Sequence, residues 1–564
     1  MSRTSPDSDN KFTSRDASLD KMKLEGATSH VEQSDPSSNR DFDDSIEDTE
    51  PSRAVWLITF TVAMGGFLFG MKASAVQTAN LRTSQLRETL EEACLADDFP
   101  GYDTGVISAV LVSLKDDLGH ELDSHEQELI TSITSGGALL GALIAGLPAD
   151  RYGRKLGIYL GCLLFLIGTI IQAAAFSVAQ MTVGRLIVGL GVGSAAMIIP
   201  LYIGELAPAK HRGRMIAFDN MSVTFGQLVS YALGAGFTEV PHGWRYMVAV
   251  GGVPPIVLAF LLPKCPESPR QLISHGKLEE AARVIKRVYP HATEDQVAAK
   301  VGHMAYTVEV ETQVTSGSLW DRFKELHVVP SNFRALVCAC AIMAISQLGG
   351  FNTLMYYSAT LFGLVGFNKP VAVSIVVGAT NFVFSLVNLF IIDRVGRRRI
   401  LLITVAGMSV SMVVAAVAFH WIPVSPDLKL QTGSVNWAGI LVLVTIIVYV
   451  ACFAGGVATI AWVGTELLPL EVRALGTMMN TVVCWGCNII IASTFLSMMK
   501  GMTPSGAFGF YAGICFFGWV FCIFCYPEAN GLPLEDVRQI FATGFGVKKA
   551  NELQRLRKMT GGSA

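Results

Sequence analysis

The stretch Asp150-Arg-Tyr-Gly-Arg-Lys155 returns as Asp393-Arg-Val-Gly-Arg-Arg398, and in both places it joins one long apolar run to the next. The surroundings repeat in the same order. Gly204-Glu-Leu-Ala-Pro208 with Arg212 is echoed by Thr465-Glu-Leu-Leu-Pro469 with Arg473, and Pro266-Glu267 by Pro527-Glu528. An ordered internal repeat of this kind marks a duplicated structural unit. Apolar runs lie near 54–70 with 101–114, then 128–147, 156–176, 179–203, 217–237 and 244–263, and in the second copy near 333–364, 370–392, 398–419, 437–467, 474–499 and 506–526. Runs of about 20 apolar residues span a bilayer as helix, which satisfies its own backbone polar groups in hydrocarbon. The expected fold is all-α, with twelve transmembrane helices in two six-helix halves.

Composition points the same way. The 564 residues are 51% hydrophobic and 16% charged, against about 25% charged in soluble domains. A net charge of −3 leaves no basic excess for nucleic acid, and none is expected as a partner. Ten of the eleven cysteines lie in or beside apolar runs; Cys484/Cys487 and Cys522/Cys525 have redox-motif spacing without the βαβ setting of one. No metal or cofactor is expected. No nucleophile with an adjacent base stands at a plausible spacing, so an enzyme is not expected either.

Residues 1–53 are Ser-, Asp-, Glu- and Lys-rich and read as a disordered tail without a cleavable signal peptide. The first six-helix half takes 54–263, a polar linker of helical charge spacing takes 264–332, the second half takes 333–526, and a polar tail follows over 527–564. Short loops on one side collect Arg151, Arg154, Lys155, Lys210, Arg212, Arg214, Arg394, Arg397, Arg398, Arg399 and Arg473, whereas the other side has Lys115, Lys369, Lys429 and Lys500. Basic loops stay in the cytoplasm, so both termini and the linker are expected there.

With Gly184-Arg-Leu-Ile-Val-Gly189, Pro200-Leu-Tyr-Ile-Gly-Glu205, Pro266-Glu-Ser-Pro-Arg270 and Gln347 five residues before Asn352, these repeats resemble the sugar porter family of the major facilitator superfamily. The motifs cover nearly all of residues 54–540. Phe351-Asn-Thr-Leu-Met-Tyr-Tyr-Ser358, Thr503-Pro-Ser-Gly506 and the four-residue step from Trp462 to Glu466 look closest to the family's fungal myo-inositol branch. The resemblance implies the major facilitator fold and proton-coupled uptake of a small neutral polyol or sugar across the plasma membrane, and a monomer is expected. It also implies a gating network at the cytoplasmic helix ends: Asp150, Arg151, Arg154, Glu205 and Arg212 in the first half, Asp393, Arg394, Arg397, Glu466 and Arg473 in the second. Two departures bear on substrate choice, Ser346 where the family usually has glutamine and Ala461 where it usually has proline.

Duplicated halves place a cavity between them near mid-bilayer, and rocking one half on the other gives alternating access. Asp103 is an acid in an apolar span, and an ionisable group at that depth is a functional candidate by default. Its natural partner is Arg185, and the resemblance implies that the two form the proton-coupling pair. A static buried ion pair is the alternative. An uncharged polyol needs neutral donors and acceptors with an aromatic face. Gln227, Gln347, Asn352, Tyr356, Asn381, Trp462, Trp485 and Asn488 supply these, at positions that match sugar-contacting or cavity-lining positions of the family. Asn388 and Asn480 read as bonds between helices.

One segment does not fit. Gly65-Gly-Phe-Leu-Phe-Gly70 should run straight into Tyr102-Asp103, yet Met71–Gly101 intervenes with Lys72, Arg82, Arg87, Glu88, Glu91, Glu92, Asp97 and Asp98. Each such charge costs about 2.5–3.5 kcal/mol at a helix centre, so the segment cannot lie within the first span. Gly70-Met71 can be encoded with a GTATG donor and Pro100-Gly101 with a CAG acceptor, which reads as a translated intron. A genuine loop is the alternative. For function, the alternatives are a facilitative hexose or polyol transporter and a non-transporting nutrient receptor.

Overall fold

The computed structural model describes residues 99–208, 212–315, 319–425, 435–468, 470–528 and 544–559, with a few single positions between and before them. The expected tail at 1–53, the first part of span 1 and Met71–Asp98 of the anomalous segment lie outside the described residues, isolated positions apart. Helices dominate. Those of the first half are α1 (Phe99–Ser113), α2 (Ser124–Tyr152), α3 (Arg154–Ala173), α4 (Val178–Leu206), α5 (Arg212–Phe237), α6 (Gly243–Val250) and α7 (Val253–Leu261). The linker forms α8 (Pro269–Ser274), α9 (Leu278–Val288), α10 (Glu294–Thr315) and α11 (Leu319–Val328). The second half has α12 (Pro330–Leu348), α13 (Phe351–Val365), α14 (Pro370–Val395), α15 (Arg397–Phe419), α16 (Trp437–Cys452), α17 (Ala458–Val463), α18 (Leu470–Ala492) and α19 (Phe495–Cys525), followed by α20 (Val547–Met559).

Among the described residues ten helical stretches are long and apolar enough to cross a membrane. Two of the expected spans fall short of that measure among the described residues. The fifth, α5, is diluted by polar residues such as Asn220, Ser222 and Gln227. The first is represented by α1. The chain is a multi-pass membrane protein.

Sequence dictates where the helices stop. Asp123 caps α2 by accepting from Glu126 N at 2.7 Å, while Glu126 accepts from Asp123 N at 3.2 Å, a reciprocal cap that satisfies two otherwise orphaned donors. The turn between α2 and α3 needs Gly153 at φ 107°, and its copy between α14 and α15 needs Gly396 at φ 93°. The last two spans divide differently from the apolar pattern. Helix α18 ends at Ala492, and α19 begins at Phe495 and kinks at Thr503. Thr503 has φ 68° and is followed by Pro504, which removes a backbone donor, so the kink falls there.

Helices α2 and α4 pack through Gly137, Gly141, Gly189 and Gly193. A β-carbon on Gly193 would lie 2.0 Å from the Ala138 carbonyl oxygen, so nothing larger lets the two backbones approach. This approach carries Arg185 of α4 up to α2. Between the halves, α1 packs on α13, α5 on α14 and α2 on α18. The linker is amphipathic: Ala281, Ile285 and Val288 of α9 join the apolar cluster that holds Ile203 of α4. Glu279 and Glu280 start α9 and Lys286 and Arg287 end it, matching the helix dipole.

Candidate functional site

Arg185 donates from an Nη to Asp103 Oδ1 at 2.7 Å and from Nε to the Ile130 carbonyl at 3.2 Å. The Arg185 side chain is 2% exposed and that of Asp103 12% exposed, so the pair joins α4 to α1 out of bulk water. Tyr102 anchors the same turn of α1 by donating to the Met247 carbonyl of α6 at 2.8 Å. A small crevice lined by Asp103, Phe165, Thr169, Gln172 and Gly251 reaches the carboxyl side of the pair.

The polar residues expected to meet substrate gather where the halves touch. Asn381 of α14 donates to Gln227 Oε1 of α5 at 2.7 Å. Asn352 donates to Gln347 Oε1 at 2.6 Å across the break between α12 and α13. Tyr356 of α13 and Ser135 of α2 both donate to Asn488 Oδ1 of α18, each at 3.2 Å. Trp485 lies one turn from Asn488 and touches the apolar cluster of the first half; its Nε1 is buried with no hydrogen-bond partner among the described residues. Trp462 on α17 is 44% exposed. Asn388 of α14 and Asn480 of α18 both bond to α17, to Thr459 Oγ1 and the Ala461 carbonyl.

Hydrogen bonds between the halves run from mid-depth toward the end opposite the basic loops. Besides those above, Ser108 meets Ser358 at 3.0 Å and the Ala359 amide at 2.9 Å, and Tyr231 donates to the Met355 carbonyl at 2.6 Å. Ser497 donates from both N and Oγ to Glu128, at 2.7 and 2.6 Å, and Lys369 pairs with Glu239 at 2.8 Å. Among the described residues, these bonds join the two halves at that end.

At the basic end, among the described residues, ion pairs lie within the first half. Arg154 pairs with Asp150 and forks onto Glu205 at 3.1 and 3.3 Å. Glu267 accepts from the Arg154 and Lys155 amides at 3.0 and 3.4 Å. The second copy repeats this capping, with Glu528 accepting from the Arg397 and Arg398 amides at 3.2 and 2.9 Å. Arg473 turns onto the Leu468 carbonyl at 3.0 and 3.2 Å. Arg151 and Arg394 are exposed. The side chains of Arg212, Asp393 and Glu466 lie outside the described residues.

Sequence reasoning passed over Ser135, Ser108, Tyr231 and Glu128. The serines and the tyrosine carry no signal, since such residues recur throughout membrane helices. Glu128 carried one: an acid at the edge of an apolar run obeys the same argument that singled out Asp103.

A family model described as sugar (and other) transporter matches residues 93–541, most of the chain. The chain belongs to the sugar transporter family. This sugar transporter is 47% identical over 458 residues to myo-inositol transporter 1 of Cryptococcus neoformans, covering 81% of each chain. It is 42% identical over 464 residues to myo-inositol transporter 1 of Saccharomyces cerevisiae, covering 81% of this chain and 79% of the yeast protein. Its fold matches the xylose transporter XylE from E. coli in a partially occluded inward-open conformation, at TM-score 0.67 and 23% identity over 86% of this chain and all of XylE. The fold is therefore that of the major facilitator superfamily, and the relatives are transporters, not enzymes. The family match starts at residue 93, inside the anomalous segment.

Proposed function

We propose that this transporter takes up myo-inositol, or a closely related polyol, together with protons across the plasma membrane, with the basic loops and both termini in the cytoplasm. The observation that carries the reading is the convergence of Tyr356 and Ser135 on Asn488 Oδ1 between the halves, beside the unpartnered Trp485 N–H, with Arg185 of the Asp103–Arg185 pair bonded to the Ile130 carbonyl of the same helix α2. Neutral amides, hydroxyls and an indole suit a ring of hydroxyls that carries no charge. Relatives named myo-inositol transporters over four fifths of the chain support the same substrate.

The gathered side chains bond one another, so a polyol exchanges protein–protein hydrogen bonds for protein–substrate ones. Separation of Gln227 from Asn381 and of Ser135 from Asn488 frees acceptors on both halves at once. Protonation of Asp103 weakens its hold on Arg185, and because Arg185 also grips the Ile130 carbonyl, the change is felt along α2. We assign residues 54–263 and 333–526 as the two rocking halves, 264–332 as their linker, and Met71–Gly101 as translated intron.

The test is uptake of labelled myo-inositol against labelled glucose in transport-deficient yeast expressing the form without residues 71–101. Inositol uptake that collapses with a protonophore is expected. Protonophore-insensitive equilibration of a hexose would replace this reading with the facilitator.

A further inference from the structure

Glu128 is an acid that neither the coupling pair nor the polyol site uses. It is 2% exposed, in the first turns of α2, and its two carboxylate oxygens accept from the Ser497 amide and hydroxyl at 2.7 and 2.6 Å. Ser497 stands in the first turn of α19, whose N-cap residue Thr494 makes no side-chain capping bond. Amides in the first turn of a helix lack partners within it, and the helix dipole favours an anion there. The carboxylate that supplies this comes from the opposite half of the protein.

We propose that Glu128 is the outer gate residue: it holds the external mouth shut by capping α19 across the halves, and the mouth opens when water takes over both hydrogen bonds. Helix α2 then bears three contacts within three turns. Glu128 latches α19, the Ile130 carbonyl receives Arg185, and Ser135 reaches Asn488. Opening the mouth moves the helix that the coupling pair grips and that the polyol site borrows. Among the described residues, His125, 3.8 Å from Glu128 and 84% exposed, and Tyr357 and Tyr511 are the other titratable groups facing the latch. The proposal rests on the orientation and alternating access proposed above.

The experiment reads the latch without substrate or gradient. Thr131 is 1% exposed, one turn inward of Glu128. The full chain carrying Thr131→Cys is labelled with a membrane-impermeant thiol reagent in right-side-out and in inside-out vesicles, against the chain with native Thr131 as background. Adding Ser497→Ala, which removes one hydroxyl and should fold, or Glu128→Ala is expected to raise external labelling per surface molecule about tenfold, a shift of about 1.4 kcal/mol. Glu128→Gln, which keeps an acceptor for the amide, should fall between. Unchanged labelling from both sides in Ser497→Ala and Glu128→Ala overturns the proposal. A rise confined to inside-out vesicles overturns the orientation and leaves the latch as a gate of the inner mouth. Absence of myo-inositol uptake by the unsubstituted protein, with this labelling pattern intact, counts only against the assigned substrate.

Discussion

Asp103 and Arg185 carry opposite charges out of water, and each makes the other tolerable. Removing one partner of a buried pair typically costs about 3–5 kcal/mol, because the survivor keeps its desolvation penalty without its compensation. Arg185→Leu is therefore expected to lower the thermal midpoint of the purified protein markedly. Asp103→Asn retains an acceptor for the guanidinium and should fold, yet it cannot bind and release a proton; uptake should lose its pH dependence and its ability to accumulate substrate uphill. Uphill accumulation by Asp103→Asn under an imposed pH difference would refute the coupling role. Asp103 was legible in the sequence because its cost in an apolar run is large and local. Arg185 was legible as its partner by the same cost. The Gln227–Asn381 bond was not, since its ends belong to different halves and either amide alone reads as ordinary helix packing.

At the scale of elements, the repeated loop motif is explained by its geometry. Gly153 and Gly396 turn the chain through positive φ, and a β-carbon there would also press on Glu267 or Glu528, at 2.8 and 2.6 Å from a carboxylate oxygen. Each carboxylate closes the start of the next helix, so Glu and Gly form one device in two copies. Glu267→Ala leaves the amides opening α3 without their anion. Hydrogen bonds to charged groups are worth about 1.5–3 kcal/mol, and a loss of that order is expected in the thermal stability of the first half. Glu528→Ala should act alike in the second. Opposite the basic end, His242 and then Trp244 donate to Asp117 and hold its carboxyl below the usual range. Its contribution to stability is complete above about pH 4, the ordinary carboxylate value, and fades as pH falls through the lowered value. Asp117→Asn should cost stability at neutral pH and flatten the acid loss; an unchanged melting profile from pH 7 to pH 3 would show that the clasp contributes nothing.

For the molecule as a whole, the bonds that join the halves opposite the basic end and the paired polar groups describe one position of the proposed rocking switch. Two arrangements of such a switch need differ by only a few kcal/mol, which a handful of hydrogen bonds at the mouth can supply. The anomalous segment bears on the same scale. A transcript retaining all of the codons for Met71–Gly101 would end the intron reading, and the form without them is expected to transport where the longer form does little. Sequence by itself determined the fold class, the two halves and the acid in the first span, because apolar run length, ordered repeats and the cost of a buried charge are local properties of the chain. Tertiary structure alone decided which polar groups meet: Ser135 and Tyr356 on Asn488, Asn381 on Gln227, and Glu128 on the start of α19. Those contacts join residues more than a hundred positions apart, and their partners are chosen by how closely glycine-lined helices approach.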